Sequence, residues 1–254
     1  MSETLLRQQL TGYALRIWER GWVANHDGNL SQRLEPGRGR LQRFLCTPTG
    51  LSKAALKPEM MLVVDETGKV LSGDLRPFSE LPLHLAYYQV RPDARAVIHA
   101  HPPTATGFGV AGVDLDQPVL PEAVVSLGPV IPTVPLTLPG TEAVQAAASY
   151  LDEYDALLLA GNGVLSCGVD LEQAYLRMEL VEHLARIVLV AHQLGGARPL
   201  PAHYLQTLLA ARARAGLGPE ARGGATTLPA TKSAAPPAEL ERLVREEISR
   251  VLTK

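Results

Sequence analysis

The chain has 254 residues, 46% hydrophobic and 20% charged, with a net charge of −2. It is long enough for a large core and too evenly charged to offer a basic face to nucleic acid or an anionic membrane. No stretch approaches the ~20 apolar residues of a bilayer span, and the start lacks the basic-then-apolar pattern of a signal peptide. The isolated Cys46 and Cys167 suit packing in a reducing cytoplasm better than disulfide or metal chemistry.

Leu5, Leu6, Leu10, Tyr13, Ala14, Ile17 and Trp18 recur at helical spacing and predict an amphipathic first helix. The following "GWVANHDGNLSQRLEPGRGRLQRFLCTPTG" is rich in turn formers between short strands, with 41–47 the clearest strand. Residues 61–73 predict a hairpin turning near Glu66-Thr67-Gly68. Residues 79–92 predict a helix with Ser79 as N-cap and Glu80 and Pro82 in its first turn. The segment "RAVIHAHPP" (95–103) then reads as a strand ended by a proline pair. Side chains alternate along a strand, so His99 and His101 share a face, roughly 7 Å apart along the backbone. Two such imidazoles can bind a divalent transition metal, given further ligands. The same pattern also fits hydrogen-bonded histidines closing a core strand.

A short helix from Thr104, an extended proline-broken region from Val124 to Leu138 and a helix over 140–155 are predicted next. Two strands around Gly161-Asn162-Gly163 follow (156–168). Asp170 is placed to cap the longest helix, Gln173 to complete a capping box and Gly195 to end it. Its lone His183 and His192 read as surface or packing residues. A last helix ends near Gly216, so residues 1–216 are predicted as one α/β domain. Residues 217–238 have the composition of a flexible linker, and 239–254 that of a short amphipathic helical tail.

Glu80, at a helix start where negative charge is favoured, can join the histidines as a ligand or move a proton. "DGNLS" (27–31) and "TPTGL" (47–51) offer amides and hydroxyls suited to an anion. The order G-N-L-S, T-P-T-G, S-E-x-x-x-H, H-A-H-P-P, G-N-G resembles the class II aldolase and adducin head domain family, over roughly residues 3–210. The resemblance implies a three-layer α/β/α fold with a largely antiparallel central sheet, and a fourfold homotetramer with active sites between subunits. It implies a divalent metal, zinc foremost with manganese, cobalt or iron also acceptable, held by His99, His101 and Glu80. Glu80 would also act as the base, and Gly28, Asn29, Thr49, Gly50 and Ser79 would hold substrate phosphate.

Three departures from the family pattern bear on the chemistry. Asn162 stands where the family has a third metal histidine, and its neutral oxygen is a weaker ligand for zinc. Phe78-Ser79 replaces a serine pair, which favours an anion with fewer oxygens, such as a carboxylate. "QPVLPEAVVSLG" lacks the tyrosine that family aldolases bring from the next subunit, leaving Glu122 as the candidate acid–base group. The leading expectation is a lyase that makes or breaks a carbon–carbon bond in a small hydroxylated carbonyl compound, such as L-fuculose 1-phosphate, through a metal-stabilised enediolate. Decarboxylation, epimerisation or dehydration through the same enediolate is the alternative. A non-catalytic adducin-like assembly module stands third, because such a module has no need of the histidines and Glu80.

Overall fold

The computed structural model describes residues 2–35 and 41–226. Its middle layer is an eight-stranded sheet built from β1 (Asn29–Arg33), β2 (Arg43–Cys46), β3 (Leu62–Asp65), β4 (Val70–Ser72), β5 (Ala96–Ala100), β6 (Thr133–Val134), β7 (Ala156–Leu159) and β8 (Val164–Gly168). The strand order is β4-β3-β2-β1-β5-β8-β7-β6. Every neighbouring pair is antiparallel except β6 and β7. The helices are α1 (Glu3–Glu19), α2 (Leu81–Val90), α3 (Pro103–Ala111), α4 (Pro121–Ser126), α5 (Thr141–Leu151), α6 (Leu171–Gln193) and α7 (Ala202–Arg214). Among the described residues, no helix is long and apolar enough to cross a membrane.

Strand alternation divides the interior into two cores. Leu30, Leu45, Val63, Ile98, Leu158 and Val164 pack with α1, α3 and α6. Phe44, Val64, Val97, Leu157 and Leu165 pack with α2 and α5. Both faces of the sheet are therefore covered, which explains why its strands read as nearly continuous apolar runs. His99 has the parity of Val97, so it faces the α2 side. Pairing of Asn29 with His99, and of Ser31 with Val97, puts Asn29 and Ser31 on that side as well.

Several boundaries differ from the sequence expectations. Helix α2 starts at Leu81, so Ser79 is not its N-cap; Glu80 takes that position without a capping side-chain bond. The region from Val124 is not extended at its start, because α4 occupies residues 121–126 and only Thr133–Val134 is strand. Helix α3 begins at Pro103 and α5 ends at Leu151. Asp170 does cap α6, its Oδ1 accepting from the Gln173 amide at 2.7 Å. Gln173 Oε1 returns the bond to the amide of Val169 at 3.0 Å.

The chain also stays on the body beyond Gly216. Gly218 and Pro219 are buried, a 3-10 turn spans Glu220–Arg222, and Arg222 donates to the Asp152 carbonyl at 2.8 Å. Residues 217–222, expected to open a flexible linker, thus pack on the body, and the segment from 227 lies outside the described residues. The tail expected over 239–254 lies outside the described residues.

Asp155, wholly buried, organises this end of the molecule. It pairs with Arg91 at 2.8 Å, Arg177 at 3.0 Å and Arg212 at 2.6 Å. One carboxylate thus ties the end of α2 to α6 and α7. Burial alone would raise its pKa, but the three guanidiniums outweigh it and hold the group below the usual aspartate range.

Candidate active site

Strand β5 ends between two glycines that no other residue would replace without strain. Gly28 has φ +73°, and a Cβ there would meet Val23 and come within 3.0 Å of the His99 carbonyl. Gly163 has φ +78°, and its Cβ would meet the Ala100 carbonyl and lie 2.5 Å from His101 Cδ2. Both positions combine a left-handed backbone with close approach, the two demands only glycine meets cheaply. They let the neighbouring loops press against the histidine strand from either side.

His99 is almost fully buried and its Nδ1 lies 3.1 Å from the Val164 carbonyl. A carbonyl only accepts, so Nδ1 carries the proton and Nε2 carries a lone pair. Burial first, and the neighbouring His101 second, hold His99 down at about 4, so its neutral form prevails near pH 7. His101 lies just past the strand end, its backbone N–H donating to the Trp22 carbonyl at 2.8 Å. Its Nδ1 faces Asp27 at 3.7 Å, and its Nε2 stands 3.2 Å from Nε2 of His99.

Glu80 Oε2 accepts from Ser79 Oγ at 2.9 Å and from Asn29 Nδ2 at 3.3 Å. Asn29 Oδ1 is buried without a hydrogen-bond partner among the described residues. Below the site, Ser31 Oγ bonds both His84 Nδ1 and Tyr88 OH at 2.8 Å. Burial, with His99 nearby, keeps the enclosed His84 neutral, well below its ordinary value.

These side chains line a cavity of about 260 Å³. Glu80, His99, His101 and Asn162 share it with Gly28, Asn29, Thr49 and Ser79. Gly50 is not in its wall; it forms the turn behind Thr49, at φ +76°. The Thr49 backbone N–H is committed to the Arg76 carbonyl at 2.9 Å, leaving the hydroxyl as its free donor. Glu122 lies elsewhere, in a cleft of about 800 Å³ beside Arg20 and Glu179, and accepts from Ser126 at 3.4 Å. It therefore does not reach the histidines of its own chain. Phe78, which the sequence set apart from the family's serine pair, lines the cavity too, as do Asp27 and His26, which the sequence did not mark as site residues. Asp27 stands directly before the Gly28-Asn29 motif, a position that reads as an ordinary turn.

The donor chemistry suits a cation. With the His101 proton on Nδ1, which faces the Asp27 carboxylate at 3.7 Å, both Nε2 atoms would offer lone pairs to a cation between them. Two nitrogens each about 2.0–2.1 Å from a tetrahedral ion lie roughly 3.3 Å apart, close to the 3.2 Å here. The other nitrogen of His99 bonds the Val164 carbonyl and that of His101 faces the Asp27 carboxylate at 3.7 Å, an arrangement close to the outer-shell pattern that orients metal-binding histidines. Among the described residues, no three His, Cys, Asp or Glu side chains already form a ligand cluster. Glu80 is turned towards Asn29 and Ser79, so a third ligand requires it to rotate, or Asn162 to contribute its oxygen.

The fold is a three-layer α/β/α architecture with a cavity whose lining includes His99, His101 and Glu80. Residues 8–189 match the Class II Aldolase and Adducin N-terminal domain model. A 3-oxo-tetronate 4-phosphate decarboxylase of Escherichia coli strain CFT073 is 34% identical over 203 residues, 78% of this chain and 91% of that protein. An L-fuculose phosphate aldolase of Methanococcus vannielii is 32% identical over 171 residues, 67% and 88% of the two chains. Among solved structures, YgbL from Escherichia coli, for which aldolase, epimerase and decarboxylase activities have been put forward, superposes with a TM-score of 0.74. It is 31% identical, over 82% of this chain and 99% of its own. The chain belongs to the class II aldolase and adducin family, and to its lyase enzymes rather than its assembly modules. Dependence on a divalent cation goes with that membership.

Proposed function

We propose that the protein is a decarboxylase of a phosphorylated 3-oxo acid, of the kind named in its decarboxylase relatives. Such a substrate carries a carboxylate, a ketone one carbon away and a phosphate. Its phosphate suits the loops at Gly28-Asn29 and Thr49, although Phe78-Ser79 taken alone favours a smaller anion there. The acid–base inventory of the cavity carries this reading. Asp27 is turned to His101, Glu80 is held by Asn29 and Ser79, and the segment "QPVLPEAVVSLG", where the family's tyrosine falls, contains none.

His99 and His101, with Glu80 or Asn162, are the residues to hold the cation, zinc foremost. When bound there it supplies Lewis-acid stabilisation of negative charge on the substrate's ketone and hydroxyl oxygens. Asn29, Thr49 and Ser79 orient the phosphate. The bond between carboxylate carbon and α-carbon breaks, its electron pair enters the enediolate, and carbon dioxide leaves. One proton taken from water and relayed by Glu80 adds to the α-carbon, completing a hydroxyketone phosphate. The leaving group has no hydroxyl to deprotonate, so the family tyrosine is dispensable.

Aldol cleavage of a ketose phosphate is the second reading, supported by the similarity to fuculose phosphate aldolases. It needs a further acid–base group, which His26 at the cavity rim, or Glu122 from a neighbouring copy in a homotetramer, would supply. The deciding assay offers the purified, cation-loaded enzyme 3-oxo-tetronate 4-phosphate and L-fuculose 1-phosphate in parallel. Carbon dioxide release from the first without cleavage of the second is expected, and the reverse would overturn decarboxylation. Glu122→Gln is expected to keep turnover within about threefold, whereas loss of an acid–base group costs about 10²–10⁴-fold.

A further inference from the structure

The two loops of the phosphate end, His26–Asn29 and Thr47–Leu51, are distant in sequence, and one buried side chain bridges them. Lys53 is 2% exposed, and its Nζ donates to the His26 carbonyl at 3.0 Å and the Leu51 carbonyl at 3.1 Å. An ammonium has three donors and no acceptor, so carbonyl bonds leave its charge uncompensated. Among the described residues no carboxylate lies within ion-pair distance of it. Asp27 and Glu80 act on it only from further away. Removing an unpaired charge from water is costly, and burial accordingly lowers its pKa to about 8. A buried ammonium with only carbonyls in contact, behind a loop that presents the Thr49 hydroxyl, leaves positive potential that a bound anion would meet.

We infer that Lys53 is a positioning residue for substrate phosphate, clamping both loops through their carbonyls and supplying the positive charge that bound phosphate compensates. It does not line the cavity itself, so it acts through the loops and through its buried charge, which is felt more strongly than in water. This inference rests on the phosphorylated-substrate reading above and goes beyond it. It assigns the affinity for phosphate to a residue outside the glycine, threonine and serine motifs.

Titration of the full-length protein with inorganic phosphate, beside steady-state kinetics, tests it. Lys53→Met is expected to weaken phosphate binding and raise the KM of the phosphorylated substrate by about tenfold or more, with kcat changed less than about threefold. The KM of the same substrate without its phosphate should not move, and Lys53→Arg should restore part of the loss. Lys53→Gln keeps N–H donors without the charge, so it repeats the test if Lys53→Met does not fold. Unchanged phosphate affinity in a folded, uncharged variant overturns the role of Lys53 while leaving the phosphorylated-substrate reading intact. Absence of phosphate affinity in the wild-type protein overturns that reading, and this inference with it.

Discussion

The His101 backbone is held by the Trp22 carbonyl, its Nδ1 faces Asp27 and its Nε2 faces that of His99. Removing either imidazole leaves a single nitrogen facing the cavity. His99→Ala and His101→Ala are therefore expected to lose the bound cation together with turnover, while far-ultraviolet dichroism stays unchanged. Asp27→Asn keeps the ring but weakens its orientation, which typically costs 10–100-fold in cation affinity. Glu80→Gln should retain the fold and lose at least about 10²-fold in kcat, a loss that stopped-flow measurement of the chemical step would register. Motif order made His99, His101, Glu80, Asn162, Asn29 and Ser79 legible as one group before any fold was known. Asp27 and Lys53 were not legible. An aspartate before Gly-Asn reads as a turn, and a lone lysine reads as solvated surface. Only tertiary packing turns one towards an imidazole and buries the other.

Among the elements, β5 and its flanking glycines show how local conformation serves the site. Gly163→Ala forces a Cβ against His101 at positive φ. It is expected to destabilise the protein by about 1–3 kcal/mol and to weaken cation binding, read by thermal unfolding with and without metal. Gly12, mid-helix with nothing within 4 Å of a Cβ, makes the contrasting case. Gly12→Ala should stabilise by about 0.5–1 kcal/mol and leave cation binding alone. Strand and helix types were largely readable, because both faces of the sheet are covered and the apolar runs are long. Helix α4 was not. It has six residues, too few to show a period, and its proline looks like a breaker although it sits at the start. Ser79 looked like a cap, but its hydroxyl donates to Glu80 instead.

For the whole molecule, the interspersed helices and strands announced an α/β domain, but strand order and the two-core division depend on pairings between distant segments. The Asp155 cluster is the clearest example: its arginines come from α6, α7 and the end of α2, and no local pattern connects them. Asp155→Ala leaves Arg91, Arg177 and Arg212 buried without their carboxylate, a loss expected to cost about 3–5 kcal/mol in chemical denaturation. The pH dependence follows from its depressed pKa. The unfolded chain binds the proton more readily, so the stabilisation is fully present above the unfolded value near 3.8. It is lost as pH falls through the lower folded value. Acid unfolding of the wild-type protein should therefore steepen below that point, and Asp155→Asn should flatten it.

The paired lone pairs of His99 and His101 support the whole enzymatic interpretation. Elemental analysis of the purified protein, followed by titration of chelator-stripped protein with zinc and manganese, tests them most directly. Stoichiometric uptake, abolished in both His99→Ala and His101→Ala, is the expected result. Full decarboxylase activity in protein stripped of every divalent ion, or cation uptake unchanged in the two alanine variants, would contradict it.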